Sequence, residues 1–276
     1  MASALAVYFK VIRPELSIPA AVLVYFSSIV ASSSIISGVG AVAALSAFLF
    51  ASSSLVIGDF INIQKYRITE PQKPILSRKI SLKNVAILSA ILMASGLLIA
   101  LFISSAFLFV SILSVLVFSA HSWKSKDVFL GEASVALLLA FMILSGGLAV
   151  GDISKIVWLS AIMFFVSIYY QIERDVADFM NNKRRNDSIV TGLGIFKSRR
   201  IGEACLIASI ASTFVPFAAG AMGSVYMFFA IISDILLLTA LLLPKVNLHI
   251  VKAAAALLVA AFLVGSLEIS LIAIGA

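Results

Sequence analysis

Residues 84–103 read NVAILSAILMASGLLIALFI, a run of 20 residues without a charged side chain. A helix of about 20 apolar residues crosses the hydrocarbon core of a bilayer, so this run predicts a transmembrane helix. The rest of the chain is similar, because 62% of its 276 residues are hydrophobic and only 12% are charged. A soluble domain is about half apolar and a quarter charged. The composition therefore excludes an ordinary soluble fold.

Nine apolar runs follow one another along the chain, and they predict an all-α polytopic membrane bundle of nine transmembrane helices. Backbone polar groups in lipid must be hydrogen-bonded internally, which favours helices, and the alternating pattern of a barrel strand is absent. We expect one domain over residues 1–276. The approximate spans are 17–37, 40–62, 84–103, 105–121, 129–150, 154–173, 201–221, 223–243 and 250–272.

The positive charges predict the orientation of this bundle. If the N-terminus is cytoplasmic, every Lys and Arg except Lys155 lies on a cytoplasmic segment, as the positive-inside rule requires. We therefore expect a multi-pass protein of the cell membrane whose working face is cytoplasmic. The net charge of +7 is then a topology signal and does not indicate nucleic-acid binding. The single cysteine, Cys205, rules out a disulfide within the chain.

The first long cytoplasmic segment reads GDFINIQKYRITEPQKPILSRKIS, residues 58–81. Asp59, Asn62 and Tyr66 are spaced to share one face of a helix. Oxygen ligands beside basic residues suit a phosphate held through Mg²⁺. The alternative is an ordinary solvated helix end, and this segment alone leaves both readings open. The basic residues that follow are Arg67, Lys73, Arg78 and Lys79.

The second long segment reads YYQIERDVADFMNNKRRNDS, residues 169–188, and it repeats this spacing with Asp175, Asp178 and Asn182. Alone, it could be a juxtamembrane cluster that binds anionic lipids. Both acidic faces, however, follow even-numbered spans and so reach the same side of the membrane. Together they predict two acidic groups that oppose each other across one cavity and bind a diphosphate through divalent cations. The neighbouring basic residues are Arg174, Lys183, Arg184 and Arg185.

The first segment resembles the first aspartate-rich motif of the UbiA superfamily of intramembrane prenyltransferases, which have nine transmembrane helices. That motif has the form N-D-x-x-D-x-x-x-D. This chain keeps the aspartate at Asp59 and has Asn62 and Tyr66 at the other two aspartate positions. The tail KPILSRKIS, residues 73–81, is close to the archaeal form PIPSGRIS. The resemblance covers nearly the whole chain by topology.

The second segment resembles the second motif of the same family, K-D-I-E-D-x-E-G-D-K. Here it reads RDVADFMNNK, with Asp175 and Asp178 at aspartate positions and Asn182 in place of the last aspartate. A third stretch, HSWKSKDVFLGE, resembles a family segment that ends in Gly-Asn. In it, Lys126 matches a lysine near the substrate, and Glu132 stands about where Asn is usual.

The resemblance implies transfer of a prenyl group from an isoprenoid diphosphate to a lipid or phosphate-bearing acceptor among the membrane lipids, with Mg²⁺ as cofactor. It implies catalytic roles for Asp59, Asp175 and Asp178. It implies diphosphate binding by Arg67, Lys73, Lys126, Arg174 and Lys183. It implies metal binding by Asp59, Asn62, Asp178 and Asn182. It also implies a cavity lined by aromatic side chains such as Phe60, Phe164, Phe165, Tyr169 and Tyr170.

Within the family, the short chain and the archaeal form of residues 73–81 favour the digeranylgeranylglyceryl phosphate synthase type, which transfers geranylgeranyl to geranylgeranylglyceryl phosphate in archaeal ether-lipid synthesis. Only three motif aspartates remain, so we expect a lower affinity for Mg²⁺. Three alternatives stay open: a catalytically impaired lipid-binding protein, a prenyltransferase with an aromatic acceptor, and a transporter. The charges lie at the inner rim and not at mid-membrane, which disfavours the transporter.

Overall fold

The computed structural model of the chain describes residues 8–34, 36–63, 81–123, 130–181, 188–243 and 248–275. Nearly all residues in these ranges are helical, and none of them forms a strand. Nine of the helices within these ranges are long and apolar enough to cross a membrane. The predicted all-α bundle of nine spans is therefore confirmed.

After a helical segment at residues 8–12, nine long helices and two short ones follow one another over the described ranges. They are α1 (Pro14–Ser32), α2 (Gly38–Ile61), α3 (Leu82–Ile103), α4 (Ser105–Trp123), α5 (Leu130–Val150), α6 (Ile156–Met180), α7 (Ile189–Leu193), α8 (Ile195–Thr213), α9 (Val215–Ala218), α10 (Ser224–Leu242) and α11 (Leu248–Gly275).

The ends of α1 and α6 differ from the predicted spans, and that of α6 lies on the side that carries the predicted acids. α1 ends at Ser32 and not near residue 37, because Ser33 adopts the left-handed conformation with φ 51°. α6 continues to Met180, beyond the predicted end at 173, and the N–H of Asn181 closes its last turn on the carbonyl of Ala177. Asp175 and Asp178 therefore lie on a helix and not in a loop.

Successive long helices run antiparallel, which gives the bundle two distinct sides. The hydroxyl of Ser53 on α2 donates to the carbonyl of Ser89 on α3 (2.9 Å). In the neighbouring pair of helices, Arg13, which precedes α1, lies beside Asp59 near the end of α2. We call this the charged side: it carries the starts of α1, α3 and α5 and the ends of α2, α4 and α6. The opposite side is the far side.

The packed core surrounds α6. Its buried residues, including Leu159, Ile162 and Tyr169, form one cluster with side chains from α1, α5, α8, α10 and α11. α1 is held closely between two neighbours, because a Cβ at Gly40 on α2 or at Gly146 on α5 would collide with serines of α1. Small residues that let helix backbones approach are the usual contact in membrane bundles. The rigid packing fixes the helix ends that carry the charged groups.

Candidate functional site

The end of α2 places one buried carboxylate on the charged side. Asp59 is 8% exposed, and its Oδ1 lies 3.7 Å from Nη1 of Arg13. Asn62 follows at the C-cap, where its Nδ2 donates to the carbonyl of Gly58 (3.0 Å). The amide oxygen of Asn62 takes no part in this bond, and it is a neutral oxygen that can coordinate a cation. Two of the predicted ligands thus lie at one helix end, with the carboxylate beside an arginine.

The end of α6 places two more of the predicted carboxylates on the charged side. Asp175 is 8% exposed, Asp178 is half-buried and Arg174 is exposed. Residues three apart on a helix are neighbours on its surface, so the two aspartates are one turn apart on adjoining parts of α6. α6 therefore supplies both carboxylates that the second motif retains, whereas the end of α2 supplies one.

Glu132 lies beside the end of α6, although it was not among the predicted site residues. It lies in the first turn of α5 and is 7% exposed. Its carboxyl group is adjacent to that of Asp175, and its Oε1 accepts a hydrogen bond from the N–H of Ile189 (3.4 Å). The amide of Gln171 on α6 donates to the backbone carbonyl of Glu132 (3.1 Å). The signal in the sequence was an acid where the family has Asn.

Glu173, a further acid on α6, forms an ion pair. It is 3% exposed, and its Oε2 accepts a hydrogen bond from Nη2 of Arg199 on α8 (3.3 Å). Breaking such a buried pair leaves an uncompensated charge, which is strongly destabilising. Glu173 therefore ties α6 to α8, and its charge is compensated within the pair.

Several predicted site residues lie outside the residues that the structure describes, and their roles stay predictions. The prediction that both acidic groups border one cavity also stays a prediction. These residues are Tyr66, Arg67, Lys73, Lys126, Asn182 and Lys183.

A mostly apolar cavity of about 310 Å³ lies between α1, α2, α4 and α5. Its lining includes Leu55, one helical turn before Asp59, and Val135, one turn after Glu132. The cavity therefore begins next to the acidic residues of α2 and α5 and extends toward the far side. Three aromatic side chains contribute to its wall, namely Phe50, Phe107 and Phe118.

None of the five aromatic residues expected around a cavity lines this one, but Phe164 lines a second cavity of about 300 Å³ between α4, α5 and α6. Phe60 is exposed at the end of α2. Tyr169 is buried in the core, where its hydroxyl donates to the carbonyl of Ala240 (3.4 Å). The ring of Tyr170 lies 5.5 Å from Nζ of Lys252, and the rings of Phe164 and Phe165 pack edge to face. The expectation is therefore wrong for the cavity between α1, α2, α4 and α5, because its described wall contains no residue of α6, which carries four of the five.

The oxygen donors at the end of α6 fit Mg²⁺. Among the described residues, no three His, Cys, Asp or Glu side chains come together as a metal site. Mg²⁺, however, is usually bound by one or two carboxylates together with substrate phosphates and water. Glu132 and Asp175 offer two adjacent carboxylates, and Oε2 of Glu132 is buried without a hydrogen-bond partner. This donor set suits a hard cation whose coordination a diphosphate completes.

Comparisons with known proteins support the fold and the family resemblance. The model of the UbiA prenyltransferase family matches residues 18–264. The chain is 28% identical over 234 residues to the digeranylgeranylglyceryl phosphate synthase of Methanococcus maripaludis, an alignment that covers 84% of each chain.

Two solved structures share the fold over nearly their whole length. One, described as digeranylgeranylglyceryl phosphate synthase in membranes, superposes with a TM-score of 0.86 at 24% identity and covers 96% of this chain and 99% of its own. A UbiA homologue from Archaeoglobus fulgidus, bound to geranyl diphosphate and Mg²⁺, superposes with a TM-score of 0.68 at 13% identity. It covers 95% of this chain and 99% of its own.

Proposed function

The chain belongs to the UbiA prenyltransferase family, and on that basis we propose that it transfers a geranylgeranyl-type group from its diphosphate to a lipid acceptor, geranylgeranylglyceryl phosphate. One observation carries this proposal: buried carboxylates at the ends of α2 and α6 and at the start of α5 lie on one side of the bundle, and those of α2 and α5 are one helical turn from residues that line an apolar cavity of about 310 Å³. The carboxylates suit the charged end of a prenyl diphosphate, and the cavity suits part of its hydrocarbon chain.

In the proposed reaction, the bond between the allylic carbon and the diphosphate oxygen breaks, and the diphosphate leaves with the electron pair. A hydroxyl oxygen of the acceptor forms the new bond to that carbon and loses its proton. Bound Mg²⁺ supplies charge stabilisation for the leaving diphosphate. The apolar cavity keeps water away from the allylic carbon, which limits hydrolysis.

We assign the roles as the family resemblance implies. The acids that hold the reacting end are Asp59, Asp175 and Asp178. The metal ligands are Asp59, Asn62, Asp178 and Asn182. The basic residues for the diphosphate are Arg67, Lys73, Lys126, Arg174 and Lys183.

The proposed setting is a multi-pass protein of the cell membrane, one prenyltransferase-like domain over residues 1–276, whose charged side faces the cytoplasm. This orientation is supported by the distribution of Lys and Arg, of which Lys155 alone is assigned to the opposite side. The phosphate-bearing acceptor is supported by the name of the Methanococcus maripaludis relative and by the basic residues near both acidic helix ends.

A membrane assay tests the proposal directly. Purified protein in lipid nanodiscs is supplied with Mg²⁺, labelled geranylgeranyl diphosphate and a panel of acceptors that includes geranylgeranylglyceryl phosphate and an aromatic acceptor. We expect labelled lipid product only with the glyceryl phosphate, and none without Mg²⁺. Product on the aromatic acceptor alone would replace the proposed acceptor with an aromatic one.

A second candidate is a UbiA-like protein that binds prenyl lipids without transferring them. It is favoured by the loss of motif aspartates at Asn62, Tyr66 and Asn182, because each lost carboxylate removes a charged ligand from a divalent ion. Equilibrium binding of geranylgeranyl diphosphate, measured beside the transfer assay, separates the two. Tight binding without product on any acceptor would identify the binding protein.

A further inference from the structure

Two buried carboxyl groups lie next to each other on the charged side, one from α5 and one from α6. Glu132 and Asp175 are 7% and 8% exposed, and their carboxyl groups are adjacent. Oε1 of Glu132 accepts the hydrogen bond from the N–H of Ile189, whereas its Oε2 is buried without a hydrogen-bond partner. The pair therefore has a buried oxygen that no N–H or O–H donor of the described residues reaches, and only a proton shared with Asp175 or a bound cation would satisfy it.

Among the residues that the structure describes, none compensates the charge of the pair. Gln171 is neutral and donates to the backbone carbonyl of Glu132. Arg174 is exposed, and Arg199 forms its ion pair with Glu173. Two adjacent carboxylates repel each other, and the repulsion grows when water is excluded. Such a pair is stable when a cation or a proton lies between the two groups, and an unpaired oxygen is what a cation would coordinate.

We propose that Glu132 is a cation ligand of this chain, which holds a divalent metal ion together with Asp175. Glu132 thereby supplies a carboxylate to the end of α6, where the second motif has lost one at Asn182. This inference rests on the proposed function, since the ion is one of the divalent cations proposed to bind the prenyl diphosphate. It assigns the site to one acid from α5 and one from α6, which is consistent with the one or two carboxylates that Mg²⁺ usually takes from a protein.

A purely structural role for Glu132 makes different predictions. In that role its carboxylate only accepts the hydrogen bond from Ile189 and holds the start of α7. Glutamine keeps an oxygen for that bond but removes the charge. Glu132→Gln should then leave metal binding unchanged. A cation ligand predicts weaker metal binding in Glu132→Gln, whereas the loss of one of two repelling carboxylates should not lower the metal-free melting temperature.

The experiment measures Mn²⁺ binding, as a spectroscopic substitute for Mg²⁺, by electron paramagnetic resonance on the full chain in lipid nanodiscs with geranylgeranyl diphosphate. Melting temperature is measured with and without Mn²⁺. We expect Glu132→Gln to weaken Mn²⁺ binding by about tenfold or more and to lose most of the stabilisation by Mn²⁺. The matched control is Glu203→Gln, a half-buried acid on α8 near Glu173, which should bind Mn²⁺ like wild type.

The outcomes separate this inference from the function on which it rests. If Glu132→Gln binds Mn²⁺ as wild type does, while Asp178→Ala does not, the role of Glu132 is overturned and the proposed metal-dependent function stands. If the pair is bridged by a proton and not by a cation, Mn²⁺ affinity is likewise unchanged in Glu132→Gln, and the inference fails. If wild type binds neither Mn²⁺ nor geranylgeranyl diphosphate, the inference and the proposed function fail together.

Discussion

The ends of α2 and α6 reach the same side of the bundle, but they differ in acid content. The end of α2 carries one buried carboxylate, Asp59, 3.7 Å from Arg13. The end of α6 carries Asp175 and Asp178 and receives Glu132 from α5. The family motifs place aspartates at both ends, so the losses in this chain have left the negative charge mainly at α6.

The two helices also differ in what lies beside them. α2 lines the apolar cavity from Ala47 to Leu55, whereas no described residue of α6 lines it. α6 is instead surrounded by the packed core. The difference suggests a division of roles, in which α6 holds the charged end of the substrate on a rigid helix and α2 shapes the space for the hydrocarbon chain.

The largest expected effect comes from removing an acid at the end of α6. Asp178→Ala should lower the rate of prenyl transfer by roughly 100-fold or more, and Asp59→Ala by roughly tenfold, because the latter carboxylate already has a cationic partner. Transfer of labelled geranylgeranyl measures both. Asp152→Ala on the far side is the control and should match wild type. A larger loss of transfer rate in Asp59→Ala than in Asp178→Ala would show that the acid of α2 contributes more to transfer than the acid of α6.

An intermediate effect is expected from filling the cavity on α2. Ala47 lies about 12 Å along the helix from Leu55, toward the far side. Ala47→Phe should lower transfer of the 20-carbon geranylgeranyl group by roughly tenfold and leave the shorter geranyl group less affected, because the added ring occupies the far end of the cavity.

The control for this substitution is Leu45→Phe, which places the same ring on an exposed position of α2. Rates with geranylgeranyl and geranyl diphosphate are compared for each variant. If Ala47→Phe slows both substrates equally, or slows neither, the prenyl chain does not extend along α2 and the division of roles is wrong.

The smallest effect is expected from restoring an acid at the end of α2. Asn62→Asp returns a carboxylate to the first motif, and ligand charge raises the affinity of oxygen sites for divalent cations, so we expect Mg²⁺ to bind roughly three- to tenfold more tightly. The Mg²⁺ concentration that gives half-maximal transfer measures this change. An unchanged value would show that the end of α2 does not contact the metal ion.

The relative placement of the motif acids could be predicted because helical spacing is local. Asp175 and Asp178 lie one turn apart as their spacing indicates, although α6 continues past its predicted end to carry them, and Asp59 and Asn62 lie at the end of α2. Glu132 was missed because its partner is 43 positions away in the chain, and contact between α5 and α6 depends on how the helices pack. The aromatic residues of this cavity were predicted wrongly for the same reason, since the hydrophobicity of a span does not show which of its faces borders a cavity.

The sequence by itself determined that this chain is a bundle of nine long apolar helices and that its retained motif acids lie at the ends of α2 and α6. Hydrophobic length and the distribution of charge act residue by residue along the chain, so they can be read without neighbours. Only the tertiary structure decided that Glu132 meets Asp175, that Arg13 meets Asp59, and that the cavity borders α2 and not α6. These contacts depend on the relative rotation of packed helices, which is set by many small side-chain contacts at once.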